Sequence, residues 1–206
     1  TSLGANIKNI RKSELERFLI PLPHLEEQRR IAAILDKADS IRRKREQALA
    51  LADDYEFAVF HELFGSDEGK VQTIEDMLAN GVLSLHKDGN HGSNYPKTSE
   101  FGKTGVPFLT AKTISRSQEI DEASVQYLDQ RKADQLTIGR LQPYDVLLAH
   151  NATVGPVCVY DGRYDEAIIG TSLTAFRPNL EKISPKFLAA AIRHPSFQRQ
   201  LKSSMS

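Results

Sequence analysis

One triplet in this chain, Glu68-Gly69-Lys70, has the acidic-x-Lys spacing with which a metal-dependent nuclease holds a cation and steadies a phosphate. That chemistry needs a further carboxylate on an adjoining strand, and this triplet falls in a turn, a poor place to hold ligands in register. His24, His61, His86, His91, His150 and His194 show no paired spacing of a zinc site. There is no Asn-Pro-Pro-aromatic methyltransferase signature, GxGxxG or phosphate loop. The single cysteine, Cys158, lies in the apolar run Pro156 to Tyr160 and reads as a buried thiol of a reducing compartment, not a nucleophile. The residues argue against catalysis by this chain.

The element that must organise everything else is a helix of about forty residues. Pro21 and Pro23 suit the outside or first turn of a helix, and Glu26 and Glu27 then face the positive end of its dipole. From Leu25 to Phe64 there is no Gly or Pro, and good helix formers dominate until Gly65 and Ser66. Such a rod is roughly 60 Å long. Ile31, Ile34, Ala38, Ile41, Arg45, Ala48, Ala52, Tyr55 and Val59 follow steps of three and four, a coiled-coil seam with one charged interruption. Periodicity alone also fits an amphipathic helix packed on its own domain; the length favours cover by a second helix.

The 206 residues carry 27 Lys and Arg against 27 Asp and Glu, so any polyanion contact must come from local patches. No apolar run is long enough to cross a bilayer, and a cytoplasmic protein is predicted. Residues 1–23 are too short to fold alone and predict a helical turn at Arg11 to Glu16 and a strand at Arg17 to Leu22. After Gly65 the pattern changes to short strands and glycine-rich turns. Val71 to Leu78 reads as a helix or strand. Strands are predicted at Gly81 to Leu85, Val106 to Thr110, Val125 to Leu128, Asp145 to Ala149, Thr153 to Tyr160 and within Ile168 to Phe176. Asp88 to Gly105 predicts a loop or turn series. Arg131 to Gln135 and the stretch opened by Ser184-Pro185 predict helices, with a break at His194-Pro195 before Phe197 to Lys202. The fold class is α+β: a long coiled-coil spacer helix, then a mixed β-sheet domain with flanking short helices.

The segment IKNIRKSELERFLIPLPHLEEQRRIAAILDKAD resembles the junction of a target-recognition domain and a spacer helix in specificity subunits of type I restriction-modification systems. DGNHGSNYPKTSEF, VPFLTAKTIS, YDVLLAHNATVGPVCVY and IIGTSLTAFRPN follow in the order that such recognition domains show. The resemblance implies a non-catalytic reader of double-stranded DNA. Methyltransferase subunits that bind S-adenosylmethionine would dock on it, a restriction (translocase) subunit could join, and no cofactor would sit in this chain itself. Full-length members carry two recognition domains and two antiparallel helices. One helix and about one domain make this sequence read as a fragment, a half-sized subunit or a permuted segment. The expected division is 1–23 as the tail of a recognition domain, 24–65 as spacer helix and 66–206 as recognition domain.

DNA reading asks for Arg, Asn or Gln at base edges and for Lys, Ser, Thr or backbone amides at phosphates. The candidates are Asn90, His91, Ser93, Asn94, Tyr95 and Lys97; Lys112, Thr113, Ser115 and Arg116; and His150, Asn151 and Thr153 with Thr171 and Ser172. Each taken singly also fits a plain role in turn geometry or solvation. A rod of this length keeps the 1–23 tail from its own domain, so an antiparallel homodimer is expected in which each tail completes the partner's domain. Arg45 would then lie near the dyad, where like charges need water or a carboxylate such as Glu46. The competing class is a structural coiled-coil adaptor whose domain binds protein.

Overall fold

The computed structural model describes residues 10–64, 71–151 and 153–205, the side chains of residues 53, 56, 61, 63 and 64 excepted. The Glu68-Gly69-Lys70 triplet, the Gly65-Ser66 stop, the side chains of Leu63 and Phe64, and the first nine residues of the tail lie outside that description. Contacts divide the chain into two units, Thr1–Tyr55 and Glu56–Ser206.

In the first unit, α1 (Lys12–Leu15) is the expected single turn, closed by the Glu14 side chain accepting from the Arg11 amide at 3.4 Å. The strand expected at Arg17 to Leu22 does not form; these residues have no ladder partner among the described residues. A strand needs a neighbouring edge to bond, and periodicity cannot supply one. Leu19, Ile20 and Leu22 are accordingly more than four-fifths exposed, at 97%, 82% and 83%. α2 (Leu25–Phe64) opens where the proline pair predicts, with the Gln28 side-chain amide donating to the Pro23 carbonyl at 2.8 Å. Its seam is exposed at Ile31, Ile34, Ile41 and Tyr55. No other described helix exceeds nine residues, so among the described residues no second long helix lies in the chain to pair with it. Asp39 joins Arg42 and Arg43 at 2.5 and 2.6 Å across one turn, an exposed cluster of little energetic weight.

The second unit is built on two four-stranded sheets. After α3 (Ile74–Ala79), capped by the Thr73 hydroxyl on the Asp76 amide, come β1 (Leu83–Asp88), β2 (Phe101–Gly102), β3 (Val106–Leu109) and β4 (Gln126–Leu128). Then follow α4 (Gln130–Asp134), β5 (Val146–Asn151), β6 (Thr153–Val159), β7 (Ile168–Ile169), β8 (Leu173–Pro178), α5 (Pro185–Arg193) and α6 (Pro195–Ser203). One sheet runs β1-β8-β5-β6 and is antiparallel throughout; the other runs β2-β4-β3-β7, with β3 and β7 parallel. This is the α+β, mixed-sheet domain with flanking short helices that the sequence predicts.

Alternation along the strands assigns the layers. Leu147, Ala149, Cys158, Leu173 and Ala175 point from the first sheet into a core shared with Leu109 and Ile169 of the second. Val146, Leu148, Val157 and Phe176 point the other way, under Leu188, Ala189 and Ile192 of α5. Val106, Phe108, Leu128 and Ile168 form a third core with Ala133 of α4 and Leu136. The run Val146 to Ala149 is buried on both faces, which is why it is apolar without a break. The fully buried Asp145 carboxylate is paired: it accepts two bonds from Arg177 at 2.8 Å each and one from the Gln142 amide at 2.8 Å.

Candidate nucleic-acid interface

Six strand ends of the second unit converge on one edge. Asp88 at the end of β1 pairs with Thr174, Ala149 near the end of β5 pairs with Leu173, and Asn151 faces Thr153 across the β5–β6 turn. The parallel pair β3–β7 ends at Leu109 and Ile169. Backbone bonds tie the connecting loops together: Gly89 to Leu173 at 2.9 Å, Asn90 to Ile169 at 2.9 Å, Gly170 to Leu109 at 2.8 Å and His150 to Ser172 at 3.2 Å. Gly89 has to be glycine, since a Cβ there would stand 2.1 Å from the Gly170 carbonyl oxygen.

This edge gathers most of the polar residues singled out above. His91, Ser93 and Asn94 are exposed at the tip of the loop after β1, with the His91 Nδ1 3.1 Å from the Gly89 carbonyl. Lys112 is exposed beside them in chain order after β3, and Asn151 and Thr153 are exposed at the β5–β6 turn. Thr171 and Ser172 are half-buried, and the Ser172 hydroxyl accepts from the Ala111 amide at 2.9 Å, which ties the β7–β8 turn to the end of β3. Tyr95 stands edge-on to Phe108 with ring centres 5.8 Å apart, and burial raises its phenol above the ordinary value. Lys97 is exposed and caps the turn Thr98–Glu100, its amide donating to the Glu100 carboxylate at 2.7 Å. His150 is half-buried, with its Nε2 3.7 Å from Asp88.

Two of the expected contact residues are turned inward. Asn90 is buried, its amide donating to the carbonyls of Ile138 at 2.6 Å and Ile169 at 3.2 Å. Thr113 is fully buried, its hydroxyl donating to the Thr110 carbonyl at 2.7 Å. Neither presents a side chain to a ligand. Ser115 and exposed Arg116 lie on a separate hairpin, closed by pairing of Ile114 with Ile120. That hairpin leads to the Arg163 guanidinium, which donates to the Ile120 carbonyl at 3.3 Å. Glu119, Ile120, Tyr144, Asp161 and Arg163 there line an open cleft of about 430 Å³ beside the start of α5. Sequence reasoning missed Asp88 and the close Gly89–Gly170 approach; the Asp-Gly and Gly-Thr dipeptides marked turns without showing that the turns meet.

The exposed set offers hydrogen-bond donors and acceptors and little else. Among the described residues no three His, Cys, Asp or Glu side chains gather as a metal site, and no helix is long and apolar enough to cross a membrane. Burial pushes the Cys158 thiol up to about 12, so it is protonated and inert.

Known proteins match both the sequence and the fold. The family described as type I restriction modification DNA specificity domain matches residues 1–51. A protein of Methanocaldococcus jannaschii named as the type I restriction enzyme MjaX specificity subunit is 33% identical over 95 residues, 45% of this chain and 22% of that protein. The crystal structure of the HsdS subunit from Thermoanaerobacter tengcongensis superposes with a TM-score of 0.50 at 21% identity, over 98% of this chain and 48% of that one. A chain from a study of complex assembly and conformational transition of the type I R-M system gives 0.51 at 21% identity, again over 98% and 48%. The present chain thus spans about half the length of those solved chains, and its match to the archaeal protein covers a smaller share still.

The fold, a long helix followed by a two-sheet α+β domain, is shared with those two solved chains. In sequence, residues 1–51 are similar to the type I restriction modification DNA specificity domain, and 95 residues are similar to the archaeal specificity subunit.

Proposed function

We propose that this chain reads half of a split double-stranded DNA target for a type I restriction-modification complex and performs no catalysis itself. Methyltransferase subunits carrying S-adenosylmethionine would dock on it, and a restriction subunit would join them. The observation that carries this reading is the convergence of loops 89–97, 110–113 and 170–172 with Asn151 and Thr153 on one edge rich in hydrogen-bonding side chains. A rigid sheet that presents several loops together suits groove contact. His91, Ser93, Asn94, Lys97, Lys112, Asn151 and Thr153 are the proposed contact residues, with Arg116 approaching separately from its hairpin. Selecting bound duplexes from a random pool, with and without a methyltransferase subunit, tests it. A split motif is expected; no enrichment, or binding indifferent to salt, points instead to an adaptor that binds protein.

The helix carries the second part of the proposal, an antiparallel homodimer. Its seam, exposed at Ile31, Ile34, Ala38, Ile41, Arg45, Ala48, Ala52 and Tyr55 and half-buried at Val59, needs a cover, and charge chooses the direction. Residues 25–45 carry seven Lys and Arg against four Asp and Glu, whereas residues 46–64 carry five Asp and Glu and no Lys or Arg. Head-to-tail pairing sets the basic half against the acidic half; parallel pairing opposes like charges. The exposed Leu19, Ile20 and Leu22 would then complete the partner's domain, in keeping with the division at residues 23 and 65. Sedimentation of the chain as a monomer at micromolar concentration would overturn this part.

A further inference from the structure

We propose that Asn90, joined by Tyr95, is the positioning residue that holds the tip His91–Asn94 for contact, an inference that rests on the DNA-reading proposal above. The loop after β1 is anchored at two points and exposed between them. At the first anchor, the Asn90 amide spans two segments far apart in the chain, donating to the carbonyls of Ile138 at 2.6 Å and Ile169 at 3.2 Å. Its backbone amide adds a bond to Ile169 at 2.9 Å, and Asn90 is paired in parallel with Gly170. Gly139, at φ 76°, leaves room for this arrangement: a Cβ there would come within 3.0 Å of the Asn90 amide nitrogen. At the second anchor, the Tyr95 amide closes back on the Gly92 carbonyl at 3.2 Å while the ring rests on Phe108. A Cβ on Gly170 would meet both Phe108 and the Tyr95 hydroxyl, so the two anchors share one floor.

Only a donor serves at Asn90, because both partners are carbonyls. Asparagine there does not read DNA; it decides where the residues that do read it stand. Misplacing a reading segment acts like a mismatch and leaves phosphate attraction in place.

The experiment measures the full chain on a duplex selected from a random pool and on a scrambled duplex of equal length. Asn90→Ala is expected to lower the preference for the selected duplex by about tenfold or more. Affinity for the scrambled duplex is expected to stay within about twofold, since phosphate contacts carry it. Asn90→Asp, equal in size but with no donor, is expected to lose at least as much preference as alanine. Asn179→Ala is the matched control: it removes an amide bond to the Gly81 carbonyl at 3.2 Å, just past the far end of β8. It is expected to keep the preference whatever it does to the unfolding midpoint. If Asn90→Ala fails to fold, Tyr95→Ala carries the same expectation from the second anchor. A wild-type chain without duplex preference overturns the DNA reading itself. A wild-type preference retained in Asn90→Ala, or in Tyr95→Ala where it stands in, overturns the clasp alone.

Discussion

The two units treat apolar side chains in opposite ways. Along α2, Ile31, Ile34, Ile41 and Tyr55 are left in solvent, whereas in the sheet domain every residue from Val146 to Ala149 is buried. The helix satisfies its backbone within itself, so it needs no tertiary contact to exist, only a partner to cover its seam. The strands satisfy theirs across the chain, as in the pairing of Leu83 with Pro178, so they exist only once the core has closed. A substitution in the domain should therefore act on folding, and one in the helix on association.

The largest expected effect is inside the domain. Arg177→Met strands the buried Asp145 carboxylate, and loss of about 3 to 5 kcal/mol is expected in chemical denaturation, the cost of removing one partner of a buried pair. An unchanged midpoint would mean that the pair is solvated. Next, Ile34→Asp combined with Ile41→Asp is expected to abolish the proposed dimer in sedimentation while leaving helical circular dichroism and the domain's denaturation midpoint in place. A dimer that persists would remove the seam as its interface.

Two smaller effects test the domain core. Cys158, with its thiol pushed up to about 12 by burial, is expected to resist alkylation at about pH 8 until the protein is denatured. Rapid labelling of the native protein would show that this core opens. The smallest effect concerns His86, stacked on Phe176 with ring centres 4.5 Å apart. Burial holds its imidazole below the ordinary value, with Asp88 opposing that shift and His150 adding to it. The folded state thus favours the neutral ring. Its contribution is fully present above about pH 6.5 and is lost as pH falls through the lowered folded value. Denaturation midpoints should fall on acidification through that window, less steeply in His86→Gln.

Reading the sequence succeeded where the signal is local. The proline pair and the absence of Gly and Pro placed α2, and Asp145 to Ala149 was legible as a strand because four successive apolar residues end at polar ones. It failed at Arg17 to Leu22, whose pattern suits a strand but has no edge to join among the described residues. Asn90 and Thr113 looked like surface groups because they sit among Gly, Ser and Lys. Their partners, the carbonyls of Ile138 and Ile169 for one and the Thr110 carbonyl in a closed turn for the other, have no trace in local composition.

The sequence by itself determined the long helix and most of the domain's strands, where the charge lies along α2, and the family resemblance, since each depends on neighbours a few residues apart. Which polar residues meet at one edge, and which of them face inward, was settled by folding. Those positions depend on bonds such as Asn90 to Ile169, across 79 residues of chain, whose geometry exists only after both sheets have packed.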